Sequence, residues 1–228
     1  MAVRPVFSVK NSQPYYQSED TEFTYYSGFA DIQKQKCIAS LHQSYLEKHP
    51  ESRMLEISTK SSNPIGVALS AFNLRVVLRS GETVCLESAF QGSKVFENGG
   101  PYADVLQLPP WEAKKDPRLR DSGKIISFEL EGISFPTEPK TFFYDWLYTN
   151  AVSQSAYAAE VLQFDAFTDI EFNPQKSLNC QARSAAIYVS LSRAGRLEEA
   201  LQSPDSFQAI VYQTATEPEE SPIQLSFF

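Results

Sequence analysis

Histidine is nearly missing from this chain. His42 and His49 are the only two in 228 residues. Both fall on one stretch with a helical surface pattern, so neither a Cys–His dyad nor a His-based triad is expected. Cysteine is scarce as well. Cys37, Cys85 and Cys180 stand far apart, are odd in number and form no CxxC pair. That speaks against a structural zinc site or a disulfide framework, so no metal and no cofactor is expected. Apolar runs are short, and none reaches the roughly 18 residues of a membrane span. The opening MAVRPVFSVKNSQPYY lacks the apolar stretch of a signal peptide. The expectation is a cytoplasmic protein without membrane contact. Positive charge is outnumbered, 20 Lys and Arg against 28 Asp and Glu, for a net charge of −8. A broad basic face for non-specific nucleic-acid binding is therefore not expected, although a small local basic site is compatible with this balance. P-loop, GxGxxG, GxSxG and HExxH patterns are absent too. Acid–base chemistry must then come from carboxylates, lysine or tyrosine.

What the chain does have is bulk. Hydrophobic residues make up 42%, with 16 Phe and 11 Tyr, enough for a core dominated by rings. Residues 1–29 read as an irregular arm packing through Phe7, Tyr15, Tyr16, Phe23, Tyr25, Tyr26 and Phe29. Asp31 to Lys48 has helical spacing, with Ile38, Leu41, Tyr45 and Leu46 on one face. RMLEIS, residues 53–58, reads as a short strand. TKSSNPIG reads as a loop, VALSAFNLRVVL as strand-rich, and RSGET as a hairpin turn into VCL. Residues 107–124 are charged and Pro-containing, a surface excursion. KIISFELEGISF alternates as strand–turn–strand. Residues 142–164 are helical in composition, and 165–177 read as a loop. Residues 178–195 form a strong helix with Leu178, Ala182, Ala186, Val189 and Leu191 largely on its buried side. The tail from Thr214 is acidic and is expected to be disordered. One α+β, helix-dominated domain over 1–213 with a small, mainly antiparallel sheet is the simplest architecture.

The densest chemistry lies in ESAFQGSKVF, residues 87–96. On one continuous helix, Glu87, Gln91 and Lys94 fall on a single face at i, i+4 and i+7. Ser88, Ala89, Gly92 and Ser93 between them suit close backbone approach. Two solvated charges two turns apart would look the same. Asp165, Asp169 and Glu171 cluster before the helix that follows, where capping and turn chemistry also favours acidic residues. Lys114, Lys115, Arg118 and Arg120 form the one basic cluster. It fits a phosphate-contacting patch or an ordinary charged loop.

The order of these pieces is more specific than any one of them. Ser70-Ala71-Phe72 is followed by Glu87-Ser88-Ala89-Phe90-Gln91-Gly92-Ser93-Lys94-Val95-Phe96. Downstream come Phe167-Thr168-Asp169 and then Asn179 through Arg193. This arrangement, over residues 55–193, resembles the NADAR family of YbiA-like N-glycosidases. LSAFNL, FQGSKVFENGGPY, FYDWLY and FTDIEFNP resemble the divergent branch paired with DarT-type toxins, the setting of DarG-like antitoxins. The resemblance implies removal of ADP-ribose from guanine bases in single-stranded DNA, with a DarT-like toxin as a further partner. It implies Glu87, Lys94 and Asp169 as catalytic residues. Ser70, Phe72, Asn73, Gln91, Phe167 and Asn179 are then candidate substrate contacts, with Phe167 stacking on the base. The helix start at Ser177 to Asn179 is a candidate pyrophosphate site. Cleavage of a riboflavin-pathway metabolite, and neutralisation of a toxin by direct binding without catalysis, are the alternatives.

Overall fold

The computed structural model describes residues 1–28, 30–175 and 177–212. Phe29 and the acidic tail from Thr214 lie outside these residues. The first departure from expectation comes at once. Residues 1–29 are not an irregular arm, because β1 (Ala2–Ser8) and β2 (Gln17–Phe23) pair antiparallel from Ala2↔Phe23 to Ser8↔Gln17. β2 reads QSEDTEF, and only Thr21 and Phe23 are buried. It is an edge strand of its sheet. Charge on such an edge blocks pairing with other chains and also erases the apolar alternation by which strands are recognised.

The helix after it, α1 (Asp31–Leu46), buries Cys37, Ile38, Leu41 and Tyr45. These side chains pack on Val6, Phe23, Ala166 and Ile170, one face of the main sheet. That sheet runs β2-β1-β9-β3. β3 (Met54–Glu56) lies parallel to a strand that enters much later, and that later strand lies antiparallel to β1. The 59–66 segment holds a start signal for a helix. Asn63 accepts a hydrogen bond from the Ile65 N–H at 2.9 Å and Pro64 occupies the first turn, giving α2 (Pro64–Ala68). The strand-rich reading of 67–78 therefore holds only for β4 (Arg75–Val77), which pairs with β5 (Thr83–Cys85) as the RSGET turn predicts.

β5 runs directly into α3 (Leu86–Gly92), and β6 (Lys94–Phe96) follows. The charged excursion carries two single turns, α4 (Pro110–Ala113) and α5 (Arg118–Asp121). β7 (Ile125–Leu130) and β8 (Ile133–Phe135) form the expected hairpin and join β6 in an antiparallel sheet. α6 (Phe142–Ser153) is shorter than the 142–164 expected. QSAYAAEVLQF turns out of the helix into a 3-10 turn at Glu160–Gln163. β9 (Ala166–Thr168) then enters the middle of the main sheet. α7 (Gln181–Arg193), α8 (Leu197–Ala200) and α9 (Pro204–Tyr212) close the described chain. Leu178 precedes α7 and is 59% exposed, so it does not belong to the buried face of that helix. Ala182, Ala186, Val189 and Leu191 do.

Alternation along the strands divides the sheet between two cores. Val6 and Ala166 face α1. Phe7, Leu55 and Phe167 face the larger core built around α6 and α7. The result is a single α+β domain, about 40% helical, in which the parallel β3–β9 pair is the exception among antiparallel pairs.

Candidate active site

α3 is a short helix with every residue buried. Its start is bolted to the Ser70-Ala71-Phe72 turn. Leu86 N–H donates to Leu74 O at 2.9 Å, and Glu87 N–H to Ala71 O at 3.0 Å. The Cys85 thiol donates to the carbonyls of Ala71 and Phe72 at 3.3 Å each. Gln181 at the start of α7 ties the same turn to β3. Its Oε1 accepts from Ala71 N–H at 2.7 Å and its Nε2 donates to Ile57 O at 2.7 Å. Phe90 anchors the helix in a ring cluster with Phe128, Phe143 and Tyr144, at 5.2–6.1 Å between centroids.

α3 ends at Gly92, so the single helix face expected for Glu87, Gln91 and Lys94 does not exist. Lys94 is the first residue of β6. Gly92 admits the close approach of the 102–106 segment, since a Cβ on it would meet Leu106 Cδ1 at 2.3 Å and Tyr102 O at 3.0 Å. The three side chains are aligned by hydrogen bonds instead. Lys94 Nζ donates to Gln91 Oε1 at 2.6 Å, and Gln91 Nε2 donates to Glu87 Oε1 at 2.9 Å. The ammonium also sits 4.8 Å from the centroid of the Phe90 ring. Burial lowers the pKa of Lys94 to about 8; the Glu87 carboxylate opposes the shift and the Lys114 charge adds to it. At that value about a tenth of the amine is neutral at pH 7.

This row forms part of the wall of a cleft of about 970 Å³, at the upper end of the range for small-molecule sites. Asp169, one residue beyond β9, lines the same cleft. Its Oδ1 accepts from the N–H groups of Glu171 and Phe172 at 3.0 and 3.1 Å. Burial, with the nearby charge of Glu56, raises its pKa to about 8. Ser70, Phe72, Gln91 and Asn179 also line the cleft.

A family model described as the DarT1-associated NADAR antitoxin matches residues 2–221. The chain belongs to this family. No curated protein matches it.

In this family member two of the residues expected at the site lie elsewhere. Phe167 is fully buried, paired with Leu55 and Phe7 across the sheet. β9 turns its ring into the larger core, so it stacks on no ligand. Asn73 is exposed and donates to Val67 O at 2.9 Å, outside the cleft lining. The helix start also moves. α7 begins at Gln181 with Cys180 at its N-cap, so Ser177 and Asn179 reach the cleft from the loop before it. The Asn179 Oδ1 is buried without a hydrogen-bond partner.

The basic cluster divides. Arg118 is taken by Asp104 and Asp116 at 2.6 and 2.7 Å. Lys114 alone of the four lines the cleft, 3.8 Å from Glu87 Oε1 and 5.4 Å from the centroid of the Phe72 ring. Sequence reasoning missed Tyr144, Phe172 and Gln181 in the lining. Among the described residues no group of three or more His, Cys, Asp and Glu is placed to hold a metal ion. No helix among them is long and apolar enough to cross a membrane.

Proposed function

We propose that this antitoxin-family protein is a glycohydrolase that removes ADP-ribose from guanine bases in single-stranded DNA, reversing the product of a DarT-like toxin. The observation that carries the reading is the hydrogen-bonded row Glu87–Gln91–Lys94 in the wall of the cleft, with an amine of lowered proton affinity at its end. An acidic protein with only two exposed lysines, Lys114 and Lys140, in the cleft lining would draw its affinity mainly from the ADP-ribose moiety rather than from the DNA backbone.

In this reading the neutral Lys94 amine adds to C1″ of the ring-opened ribose. The guanine amine leaves with a proton handed over by Glu87, and an iminium joins Lys94 to the sugar. Water then adds at C1″ and gives a proton to Glu87. The bond to Lys94 breaks, releasing ADP-ribose and the free amine. Gln91 holds both groups in register. Asp169 orients the ribose hydroxyls, and Ser70 and Asn179 supply further polar contacts. Phe72 and Phe172, both half-buried in the cleft lining, take the base-stacking role that Phe167 cannot.

The test is release of unmodified oligonucleotide, followed by mass, from single-stranded DNA carrying ADP-ribose on guanine. Wild-type protein should restore the DNA. Glu87→Ala and Lys94→Ala should each lose about 10²-fold or more. Borohydride should trap an adduct that Lys94→Ala does not form. Full activity in both variants would end the assignment. Neutralisation of the toxin by Lys94→Ala, without release, would favour direct binding instead.

A further inference from the structure

Leu178 and Ile125 line the cleft, yet the proposed chemistry gives them nothing to do. Leu178, in the loop before α7, is 59% exposed, and Ile125, the first residue of β7, is 39% exposed. Exposure falls steeply inward from them. Phe72, Phe172 and Asn179 are half-buried, whereas Glu87 and Gln91 are each 6% exposed. The cleft therefore has a polar, buried floor and an apolar mouth. Single exposed apolar side chains are ordinary on a protein surface. Two branched aliphatic chains from distant segments, both at the entrance of one polar-floored cleft, form a surface whose hydration is unfavourable and which a ligand can cover.

Their surroundings are basic. Lys140, in the turn before α6, is exposed, lines the same cleft and forms no ion pair among the described residues. Lys114 lies over the Phe72 ring and is also exposed. Of the two exposed carboxylates in the lining, Glu171 is paired with Lys34 of α1 at 2.9 Å, which leaves Glu138 against the two lysines. Apolar contact surface interleaved with cations within reach of phosphates is the composition of a groove for single-stranded nucleic acid.

The depth of the reactive row supplies a reason for such a mouth. A guanine whose substituent must reach the buried Glu87 and Gln91 has to leave the stack of its strand. Its two neighbours then each lose a stacking partner and turn an apolar face to water. A protein surface that covers those faces restores part of the lost energy. An aliphatic side chain has no hydrogen-bonding group, so it responds to the presence of a base and not to its identity. A duplex, whose bases are already covered on both faces, gains nothing from it.

We propose that Leu178 and Ile125 form a ledge for the bases on either side of the modified guanine, with Lys140 at a phosphate of the same strand, so that the ligand is recognised as a nucleotide within a single strand and not as an isolated one. This rests on the ADP-ribosyl-guanine reading given above. The adenosine half of ADP-ribose presents the same chemistry, a base joined to phosphate, and is the rival occupant of the ledge.

The experiment measures binding by fluorescence anisotropy in the Glu87→Gln background, in which the ligand is not consumed. Two short single-stranded oligonucleotides each carry one ADP-ribosylated guanine. One has ordinary neighbours and the other has abasic sites on both sides, so the charge is the same and only the bases differ. The intact strand should bind about fivefold tighter or more. Leu178→Ser with Ile125→Ser should bring that ratio close to one and leave the affinity for free ADP-ribose, read by competition, unchanged. Lys140→Ala should weaken both strands alike and reduce the salt dependence of binding. Ile126→Ser, exposed on the same strand but outside the cleft lining, should change none of these values. Equal affinity for the two strands overturns the ledge, and that comparison needs no substitution at the mouth. An equal loss of affinity for free ADP-ribose and for the intact strand in Leu178→Ser with Ile125→Ser overturns it too, by assigning the ledge to the adenosine. Release of ADP-ribose by wild type is followed on the same two strands. Release from both at equal KM keeps the glycohydrolase and removes the ledge. A binding preference for the intact strand without any release keeps the ledge and removes the glycohydrolase.

Discussion

The Gln91 amide oxygen accepts a hydrogen bond from the Lys94 ammonium at 2.6 Å. A neutral acceptor at this spot positions the amine without supplying the charge that would hold its proton. Gln91→Glu supplies that charge, and it also removes the Nε2–H bond to Glu87. The new carboxylate should raise the Lys94 pKa by more than one unit and lower the fraction of free amine at pH 7 by about tenfold or more. Release of ADP-ribose should fall by about the same factor and recover in part at higher pH, where Gln91→Ala should not recover.

The pH dependence of wild type follows from Lys94. In the proposed mechanism it acts as a free amine, so its contribution rises as pH passes about 8. kcat/KM should climb about tenfold per unit below that pH and level off above it. A flat profile between pH 6 and about 9 would contradict the role.

Lys94 also lowers stability. Its pKa is depressed in the folded state, so between about 8 and its ordinary value the unfolded chain binds more protons than the folded one. Stability from this group therefore rises with pH across that window, and below it the buried charge is a standing cost. Lys94→Met should be about 1–2 kcal/mol more stable than wild type at pH 7, after the lost bond to Gln91 is counted. The gain should shrink toward pH 10, as read from urea midpoints at the two pH values.

Gly100 guards the backbone of Lys94. Its φ is +82°, and a Cβ there would lie 2.3 Å from the Lys94 carbonyl oxygen. Gly100→Ala combines left-handed strain with a backbone clash and should cost about 2 kcal/mol or more. The displacement falls on the proposed nucleophile, so activity should drop further than the thermal midpoint alone accounts for.

Asp145 on α6 is fully buried and bound by Arg183, Ser184 and Tyr212. Asp145→Ala leaves the Arg183 guanidinium without its counter-charge and should cost about 3–5 kcal/mol. Replacing both, Asp145→Leu with Arg183→Met, should cost less than the single change. Denaturant unfolding of the three proteins decides.

Elements with a clean apolar period were legible in the sequence. α1, α7, the β4–β5 turn and the β7–β8 hairpin are placed close to where the pattern put them. β2 was illegible because an edge strand carries charge where a central one carries Val or Ile. Phe167 was misread because a ring within a motif gives no sign of which face of β9 it occupies. The Glu87–Lys94 alignment was expected for the wrong reason. Helix period suggested it, and a chain turn with an amide bridge produces it. Ile125 and Leu178 come from distant segments, and nothing in the spacing joins them at one cleft.

The position of β9 has a bearing on how the protein comes into being. Phe7 near one end of the chain pairs with Phe167, and Leu55 lies on the other flank of that same residue. The central gap in the sheet stays open during synthesis until residues 166–168 leave the ribosome, and contacts of such long sequence separation form late and slowly. The Asp169 side of the cleft cannot be assembled before that gap closes. A nascent chain that already displays the whole of ESAFQGSKVF therefore still lacks a complete cleft, and the delay before each new copy has one is written into the order of its strands.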